Sequence, residues 1–371
     1  MIKLDGSYLE GGGQILRTAL AFSAITLQPV EITEIRKGRP NPGIQPQHLA
    51  CIRALEEMCN ASSEGAQIGS SSVKFFPGKI QSRTYSLDIG TAGSVTLLLQ
   101  ALLLPSLFAP GKVRLKLAGG TNVSHSPPSD YFGSVLLPHL GSFGKLGFSL
   151  LQRGYFPKGS GKVELEIKPF FHLEGHGTFN DLCKSISPQP PRLALSERGK
   201  LVKISGVSHA SGDLRHAEVA ERQAKAARLG IVQALQRLEI DCPISIQSEY
   251  SNSLSTGSGI SLFAHFAEAG KDEPSAISPI ILGADALGER AKSSEAVGME
   301  AANALVAEIA SGACVDRHLA DQLIPFMAIS GGVICTSELT NHCLTNIFIV
   351  EKFIGKRFDV DESRKLVSSL Q

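Results

Sequence analysis

One order of predicted elements occurs twice along the chain, at a spacing of about 80 residues. The first copy begins at the glycine turn of residues 11–13 and the second at residues 90–94, and each turn leads into an apolar helix, predicted at about residues 14–25 and at residues 95–108. In both copies a strand, a loop, a second helix and two strands follow; a strand of the first copy is predicted at residues 73–76 and the second helix of the second copy at residues 129–141. Part of a third copy starts at His318. This pattern predicts a domain of three similar β-α-β-α-β-β units, because each unit needs a neighbour to bury its helix.

The pattern breaks between residues 181 and 311. A Ser/Pro-rich stretch at residues 185–191 reads as a linker, and a long charged amphipathic helix and several strands follow it. Insertions of whole modules are tolerated where the ends of the module lie at the surface. We therefore predict an α+β fold, with a large domain formed by residues 1–180 and 312–371 and a smaller inserted α/β domain at residues 181–311.

Length and charge exclude several classes of protein. The chain has 371 residues, of which 43% are hydrophobic, so two domains with real cores are expected. The net charge is +1, which predicts no stable binding to duplex DNA. The longest apolar run, residues 95–107, contains Gln100 and Pro105 and is too short to span a membrane.

The cysteines and the N-terminal segment predict a reducing compartment. The seven cysteines are an odd number with no C-x-x-C pair, which argues against a disulfide framework and a structural zinc site. Residues 1–6 show neither a basic nor an apolar region of a signal peptide. We therefore expect a cytoplasmic protein.

The first glycine turn, Glu10-Gly11-Gly12-Gly13, could bind an anion. Three glycines allow close approach of a ligand, and the N–H groups at the start of the following helix have no partner within it. Glu10 and Arg17 add a carboxylate and a guanidinium beside this turn. A tight turn with a solvated glutamate and arginine explains the same residues.

Three familiar nucleotide or metal motifs are absent. Gly159-Ser160-Gly161-Lys162 matches only the end of a P-loop, because Val163 replaces the hydroxyl that would bind magnesium. Neither a strand-linked G-x-G-x-x-G nor H-E-x-x-H occurs. Any phosphate must therefore be bound by isolated residues on loops and helix starts.

Polar residues at such positions supply the candidates. Arg36 and Arg39 flank a Pro/Gly loop and could clamp a phosphate, since guanidinium binds phosphate through two hydrogen bonds, although a solvated loop is the alternative. Gln100 lies within an apolar helix, where it binds a ligand or caps a backbone group. The remaining candidates of this kind are Gln47, His48, Asp321, Gln322, Thr345 and Asn346.

Two histidines could carry chemistry. His342 opens a predicted helix, and a neutral imidazole is a nucleophile toward phosphorus. His318 precedes Leu-Ala-Asp-Gln at another helix start, where it could cap the helix, act as a base or stack on an aromatic ligand. The residues alone leave both histidines open, including a purely structural role for each.

Together these motifs resemble those of the RNA 3′-terminal phosphate cyclases. The resemblance covers about residues 2–360 and its motifs occur in the family's order. The motifs are Glu10-Gly-Gly-Gly-Gln14-Ile-Leu-Arg17, Arg36-x-Gly-Arg39-x-x-Pro42-Gly43, Gln47-His48-Leu49, Gly119-Gly120-Thr121, Arg153-Gly-x-x-Pro157-x-Gly159-x-Gly161-x-Val163, Leu319-Ala-Asp-Gln322 and His342-x-x-Thr-Asn346. One departure is Ser160, where the family has the middle of three glycines.

The resemblance implies the same three units and inserted domain, and an enzyme. The family uses ATP and a divalent metal, Mg²⁺ or Mn²⁺, to convert an RNA 3′-phosphate end into a 2′,3′-cyclic phosphate. AMP is first transferred to a histidine and then to the RNA 3′-phosphate, and the neighbouring 2′-OH expels it. Three rivals are a non-catalytic cyclase-like ribosome-biogenesis protein, an enolpyruvyl transferase and a module that only binds nucleic-acid ends.

The resemblance also implies roles for single residues. The family's nucleophile corresponds to His342, and Glu10 matches a contact to metal and phosphate. His318 stands where the family commonly has an aromatic residue stacked on adenine, and Pro127 matches the opposite face of that slot. Further matches are Gln100, Asp321 and Gln322 as nucleotide or active-site positions, and Arg17, Arg36, Arg39 and Gln47 as phosphate-binding positions.

Overall fold

The chain folds into a mixture of helices and β-sheets. The computed structural model describes residues 1–176, 179–186, 193–275 and 279–369, and over these the strands form four four-stranded sheets. The predicted mixture of helices and sheets is therefore confirmed. Residues 187–191 of the predicted linker lie outside the described residues.

The first two sheets share one strand order. Their strands are β1 (Ile2–Asp5), β2 (Val30–Thr33), β3 (Ser62–Glu64), β4 (Val73–Phe76), β5 (Thr84–Asp88), β6 (Val113–Gly119), β7 (Gly144–Gln152) and β8 (Gly161–Pro169). The orders are β1-β2-β4-β3 and β5-β6-β8-β7. In each sheet the first two strands of this order are parallel, and the other neighbouring strands are antiparallel.

A third sheet repeats that order and a fourth does not. The third has the order β9-β14-β16-β15 with only its first pair parallel, whereas the fourth has the order β11-β10-β12-β13. Their strands are β9 (Leu193–Leu195), β10 (Leu201–Ser211), β11 (Ile244–Ser251), β12 (Ser258–Phe266), β13 (Ile280–Leu287), β14 (Gly332–Cys335), β15 (Phe358–Asp361) and β16 (Leu366–Ser369).

Several helices begin at residues whose side chains satisfy free backbone donors. Ser94 and Thr340 each accept a hydrogen bond from the N–H three residues later, at 3.3 and 3.1 Å. The helices are α1 (Gly13–Thr26), α2 (Pro46–Cys59), α3 (Val95–Leu107), α4 (Ser129–Tyr131), α5 (Leu137–His139), α6 (Phe179–Ile186), α7 (Val219–Arg237), α8 (Ser294–Ala310), α9 (Arg317–Ser330) and α10 (Asn341–Ile354). None of the described helices combines the length and apolar content that a bilayer-spanning helix needs.

Helix α3 lies at the centre of the core that supports the site. It packs against α1, α2 and α9, and its leucines Leu98, Leu99, Leu102 and Leu103 are buried. Helix α1 also packs against α10, so the first and last helices of the chain are neighbours. This arrangement brings the starts of α1, α9 and α10 close to one another.

Two segments have a backbone conformation that the sequence pattern does not predict. The helix predicted at residues 129–141 is divided into α4, a π-helical turn (Phe132–Leu136) and α5. Ser160, which replaces a glycine of the family motif, adopts a left-handed backbone with φ of 61°. That conformation costs a non-glycine residue about 1 kcal/mol, so the surrounding packing must hold the loop in place.

A buried ionic cluster supports this loop. The Arg153 guanidinium donates two hydrogen bonds to Asp130, at 2.6 and 2.7 Å, and one to Glu249 of β11 at 2.6 Å. The His209 imidazole of β10 binds Asn122 and the Tyr155 hydroxyl. Burial alone would raise the pKa of Asp130, but the bonds and charge of Arg153 lower it to about 2.

We predict that Arg153→Met lowers the free energy of unfolding by about 3 kcal/mol or more, because it leaves the Asp130 carboxylate buried without its counter-charge. Urea denaturation at pH 7 measures the change. The matched control is Arg222→Met, since Arg222 binds Glu295 through two hydrogen bonds of 2.7 and 2.9 Å at the surface. This substitution should cost far less stability, because water and salt screen an exposed ion pair; equal losses for both variants would contradict the prediction.

Candidate active site

The site is organised around the start of α1. Gly11 has a φ of 55°, and Gly12 precedes the helix without a side chain to cap it. The first N–H groups of α1 therefore have no partner within the helix. Together with the positive end of the helix dipole, they favour a bound anion at this turn.

Gly13 allows a buried histidine to lie against the helix start. A Cβ at this position would be 2.0 Å from His48 Nε2 and 3.2 Å from Arg17 Nη1. His48 Nδ1 accepts the backbone N–H of Gln45 at 3.1 Å, which fixes the ring at the start of α2. A side chain at residue 13 would displace both the imidazole and the guanidinium.

The Glu10 carboxylate contacts both His342 and Arg39 at the turn. Its Oε2 lies 2.9 Å from His342 Nε2 and 3.3 Å from Arg39 Nη2. Arg39 Nε also donates to the Glu10 carbonyl at 3.1 Å. Residues from the first turn, the Pro/Gly loop and the start of α10 therefore meet within hydrogen-bond distance.

Polar side chains connect α1 to α9 and α10. Gln14 Nε2 donates to the His342 carbonyl at 3.0 Å and to Asp321 Oδ2 at 3.3 Å. Thr18 donates to Asn346 Oδ1 at 2.7 Å, and Asn346 Nδ2 donates to the Asp321 carbonyl at 2.6 Å. These bonds fix the position of His342 relative to the glycine turn.

Burial and nearby positive charge favour the neutral form of the His48 and His342 imidazoles. Burial lowers the pKa of His48 to about 3, and the charges of Arg17 and Arg36 contribute. Burial also lowers the pKa of His342, while Glu10 opposes this shift and Arg17 and Arg39 strengthen it. A neutral imidazole keeps a lone pair, which a nucleophile toward phosphorus needs.

The carboxyl group of Asp321 lies in the same charged environment. Burial raises its pKa to about 7, and the nearby Arg17 guanidinium opposes this shift. Arg17, Gln14 and Asp321 line a small cavity between α1, α3 and α9. Gln14 Oε1 is buried there without a partner among the described residues, which indicates space for a ligand atom or a water.

A second group of predicted residues lies at the start of α9. Gln100 Nε2 donates to Gln322 Oε1 at 2.8 Å, and Gln322 Nε2 donates to the His318 carbonyl at 2.6 Å. The Pro127 carbonyl accepts the hydroxyl of Thr96 at 2.7 Å. Gln100, Gln322 and His318 are thus connected across α3 and α9.

Two predicted residues have other contacts. Gln47 Oε1 accepts the Ser94 N–H at 3.4 Å, which places this side chain beside the second glycine turn. Arg36 donates to the Asn41 carbonyl at 2.6 Å, and burial together with the charge of Arg39 lowers its pKa. Arg36 is close enough to affect the pKa of His48, so it belongs to the same positive region.

Sequence reasoning missed three residues that organise the site. Gln14 was visible only as part of the motif after the glycines, and Asp316 and Tyr131 carried no motif of their own. Asp316 caps α9 by accepting the N–H groups of His318 and Leu319, both at 2.9 Å. An Asp two residues before a candidate histidine at a helix start was the available signal for this cap.

The arrangement suits chemistry at a phosphate. A helix start and guanidinium groups favour an anion, and a neutral imidazole beside them has a lone pair with which it could attack phosphorus. A lone carboxylate, Glu10, offers hard oxygen ligands for a cation. Over the described residues, no group of three or more His, Cys, Asp or Glu side chains is arranged to hold a metal ion.

Comparisons with known proteins agree in one family. The family model described as RNA 3′-terminal phosphate cyclase matches residues 8–360. Similar proteins carrying that name come from Pyrococcus abyssi, at 44% identity, and Pyrococcus furiosus, at 46% identity; each alignment covers 97% of this chain and 95% of the relative. A relative of the same name from Ignicoccus hospitalis is 40% identical over 95% of this chain and 93% of its own length.

We predict that the His48 imidazole stays neutral down to about pH 3 in the folded protein. The unfolded chain binds this proton near the ordinary histidine pKa of about 6.5, so His48 makes the protein less stable as the pH falls from there towards 3. Arg17→Met removes a neighbouring positive charge and should raise the His48 pKa. An NMR titration of the imidazole C–H resonances measures both values.

His265 of β12 is the internal control for this titration. Burial lowers its pKa to about 4, with Lys203 contributing, and it lies on β12 of the fourth sheet, whereas Arg17 lies on α1. Arg17→Met should therefore leave the His265 titration unchanged. A His48 that titrates near 6.5 in the wild type would contradict the burial of this ring against Gly13.

Proposed function

We propose that this chain, which belongs to the RNA 3′-terminal phosphate cyclase family, converts an RNA 3′-terminal phosphate into a 2′,3′-cyclic phosphodiester with ATP. The observation that carries the proposal is the junction of His342, Glu10 and Arg39 at the uncapped start of α1. Three segments that are distant in sequence supply the nucleophile, the carboxylate and the guanidinium of one phosphate site. We place the reaction in the cytoplasm, which the seven free cysteines support.

His342 is the proposed nucleophile of the first step. An imidazole nitrogen attacks the α-phosphorus of ATP, the bond from that phosphorus to the bridging oxygen breaks, and pyrophosphate leaves. The lowered pKa of His342 supports this role, because the neutral ring has a lone pair to donate. The contact with Glu10 and the bond from Gln14 to the His342 carbonyl hold the ring and its helix start in position.

The next two steps return the histidine and close the ring. An oxygen of the RNA 3′-phosphate attacks the phosphorus of histidinyl-AMP, and the P–N bond breaks. The vicinal 2′-OH then attacks the RNA phosphorus, loses its proton, and expels AMP. Asp321 is placed to influence proton transfer, because burial raises its pKa to about 7 beside Arg17.

The arginines stabilise the charge that these steps concentrate on phosphorus. Arg17 and Arg39 both affect the pKa of His342, and Arg36 affects that of His48, so all three act on one region. Guanidinium groups placed before the reaction stabilise a phosphoryl transition state without reorganising during it. Gln47, beside the second glycine turn, is proposed to contact the RNA phosphate from the opposite side.

Glu10 is the proposed protein ligand for Mg²⁺ or Mn²⁺. Mg²⁺ is commonly bound by one or two carboxylates with substrate phosphates and water, and a lone carboxylate at a phosphate site fits that mode. When bound, such an ion neutralises charge on the nucleotide phosphates. The protein's own contribution is to keep the Glu10 carboxylate at this site through Arg39 and His342.

The start of α9 is the proposed adenosine site. His318 and Pro127 would form the two faces of a slot for the adenine ring, and Gln100 and Gln322 the polar contacts near it. The bonds that connect Gln100, Gln322 and the His318 carbonyl support a single binding surface. An imidazole offers a smaller stacking face than a tyrosine or phenylalanine ring.

The domain organisation is part of the same proposal. We assign three β-α-β-α-β-β units to residues 1–180 and 312–371, and an inserted α/β domain to residues 181–311. The shared strand order of three sheets supports the repeat, and the different order of the fourth sheet, β10 to β13, supports the insertion. Strand β9, at residues 193–195, pairs with β14 in the third sheet, so it belongs with the third unit and the insertion begins after it.

We expect incubation with α-³²P-labelled ATP and Mg²⁺ to label the wild-type protein on His342. A phosphorus–nitrogen bond to histidine should make the label acid-labile and alkali-stable on a denaturing gel. His342→Ala should lose the label completely, whereas His318→Ala should retain it.

The matched control is His216→Ala, which removes an exposed imidazole from the turn before α7 and should label like the wild type. Label that persists in His342→Ala would move the nucleophile to another residue, with His318 the next to test. A folded wild type that takes no label would favour a non-catalytic member of the family.

A further inference from the structure

A buried tyrosine hydroxyl connects two elements of the proposed adenosine site. Tyr131 in α4 donates to Asp316 Oδ1 at 2.7 Å, and both side chains are buried. Tyr131 and Asp316 are 185 residues apart in sequence. The bond therefore joins α4 to the start of α9, which no local sequence pattern connects.

Tyr131 lies directly after the loop that contains Pro127. The Pro127 carbonyl accepts the Thr96 hydroxyl at 2.7 Å, and the Ser129 N–H donates to the Thr121 carbonyl at 2.9 Å. These two bonds fix the loop on α3 and on the turn after β6. A shift of Tyr131 must therefore move Pro127 or break one of these bonds.

Asp316 stands directly before the other face of the slot. The carboxylate oxygen that accepts the Tyr131 hydroxyl also accepts the N–H groups of His318 and Leu319. Any displacement of this carboxylate moves the first turn of α9, including His318. The Gln322 bond to the His318 carbonyl transmits the same displacement to Gln100.

Strand β13 contacts both Tyr131 and Asp316. Asp316 Oδ2 accepts the Gly283 N–H of β13 at 2.9 Å. A Cβ at Gly283 would lie 2.4 Å from Tyr131 Cε2, so only glycine lets the tyrosine ring pack there. The strand supports the ring and the carboxylate together, and neither can move alone.

We propose that Tyr131 and Asp316 are positioning residues that set the separation of Pro127 and His318, and thereby the affinity and base selectivity for ATP. The inference rests on the proposed adenosine site. Both side chains are buried, and the Tyr131–Asp316 bond acts on the first turn of α9, so we expect an effect on nucleotide binding and not on the chemical step.

The test is the steady-state kinetics of Tyr131→Phe with an RNA oligonucleotide that ends in a 3′-phosphate. Phenylalanine fills the same space and removes only the hydroxyl, so the fold is retained. We expect the KM for ATP to rise about tenfold, since a hydrogen bond to a buried carboxylate is lost, with kcat changed by less than about twofold. The preference for ATP over GTP should fall as well.

Two further variants distinguish an effect on the position of the proposed adenine slot from a general loss of stability. Tyr85 lies on β5, and its buried hydroxyl donates to the Gln81 carbonyl at 2.8 Å. Tyr85→Phe removes this hydroxyl and should leave the KM for ATP unchanged. In a His318→Ala background, Tyr131→Phe should have no additional effect, because the face that it positions is gone.

Three results would overturn the inference: an unchanged KM in Tyr131→Phe, an equal rise in Tyr85→Phe, or a full additional rise in the His318→Ala background. Failure of the proposed function is distinguishable from these, since it shows in the wild type. A wild type that neither takes AMP label nor cyclises the RNA end contradicts the proposed function before any variant is compared.

Discussion

The contact of α1 with α9 and α10 is the constraint on which the site depends. The start and the end of the chain meet there through hydrogen bonds from Gln14 to the His342 carbonyl and from Thr18 to Asn346. Each bond joins residues 328 positions apart. Without this contact, the glycine turn would have a free helix start but no imidazole beside it. The leucine-rich helix α3 lies behind α1 and α9 and supplies the apolar support for the contact.

Electrostatics at this contact follow from burial. The guanidinium groups of Arg17, Arg36 and Arg39 gather around one helix start, which is already positive at this end. An additional positive charge on His48 or His342 is therefore unfavourable, and both imidazoles have a lowered pKa. One set of charges thus favours a bound anion at the helix start and also favours the neutral form of both imidazoles. Glu10 opposes this field at His342 and holds the ring in place.

The sequence predicted the elements well wherever the period of apolar residues was strong. Helix α1 and strand β4 have close to their predicted bounds, because glycine turns and alternating apolar residues mark them locally. The helix at residues 129–141 was predicted as continuous, and the π-helical turn within it left no mark in the apolar pattern. Asp316 and Tyr131 were missed for a different reason. Their importance lies in a bond to each other across the fold, and neither residue is unusual in its own segment.

The sequence by itself determined the mixture of helices and sheets, the glycine turn that leaves helix donors free, and the family to which its motifs point. Local chemistry decides these features, since backbone freedom, apolar periodicity and capping act over a few residues. Only the tertiary structure decided that Glu10 lies against His342, that His48 fills the space beside Gly13, and that Tyr131 reaches Asp316. Such contacts depend on how separate elements pack, and burial then sets the charge of each group. The spacing of residues along the chain carries no record of either.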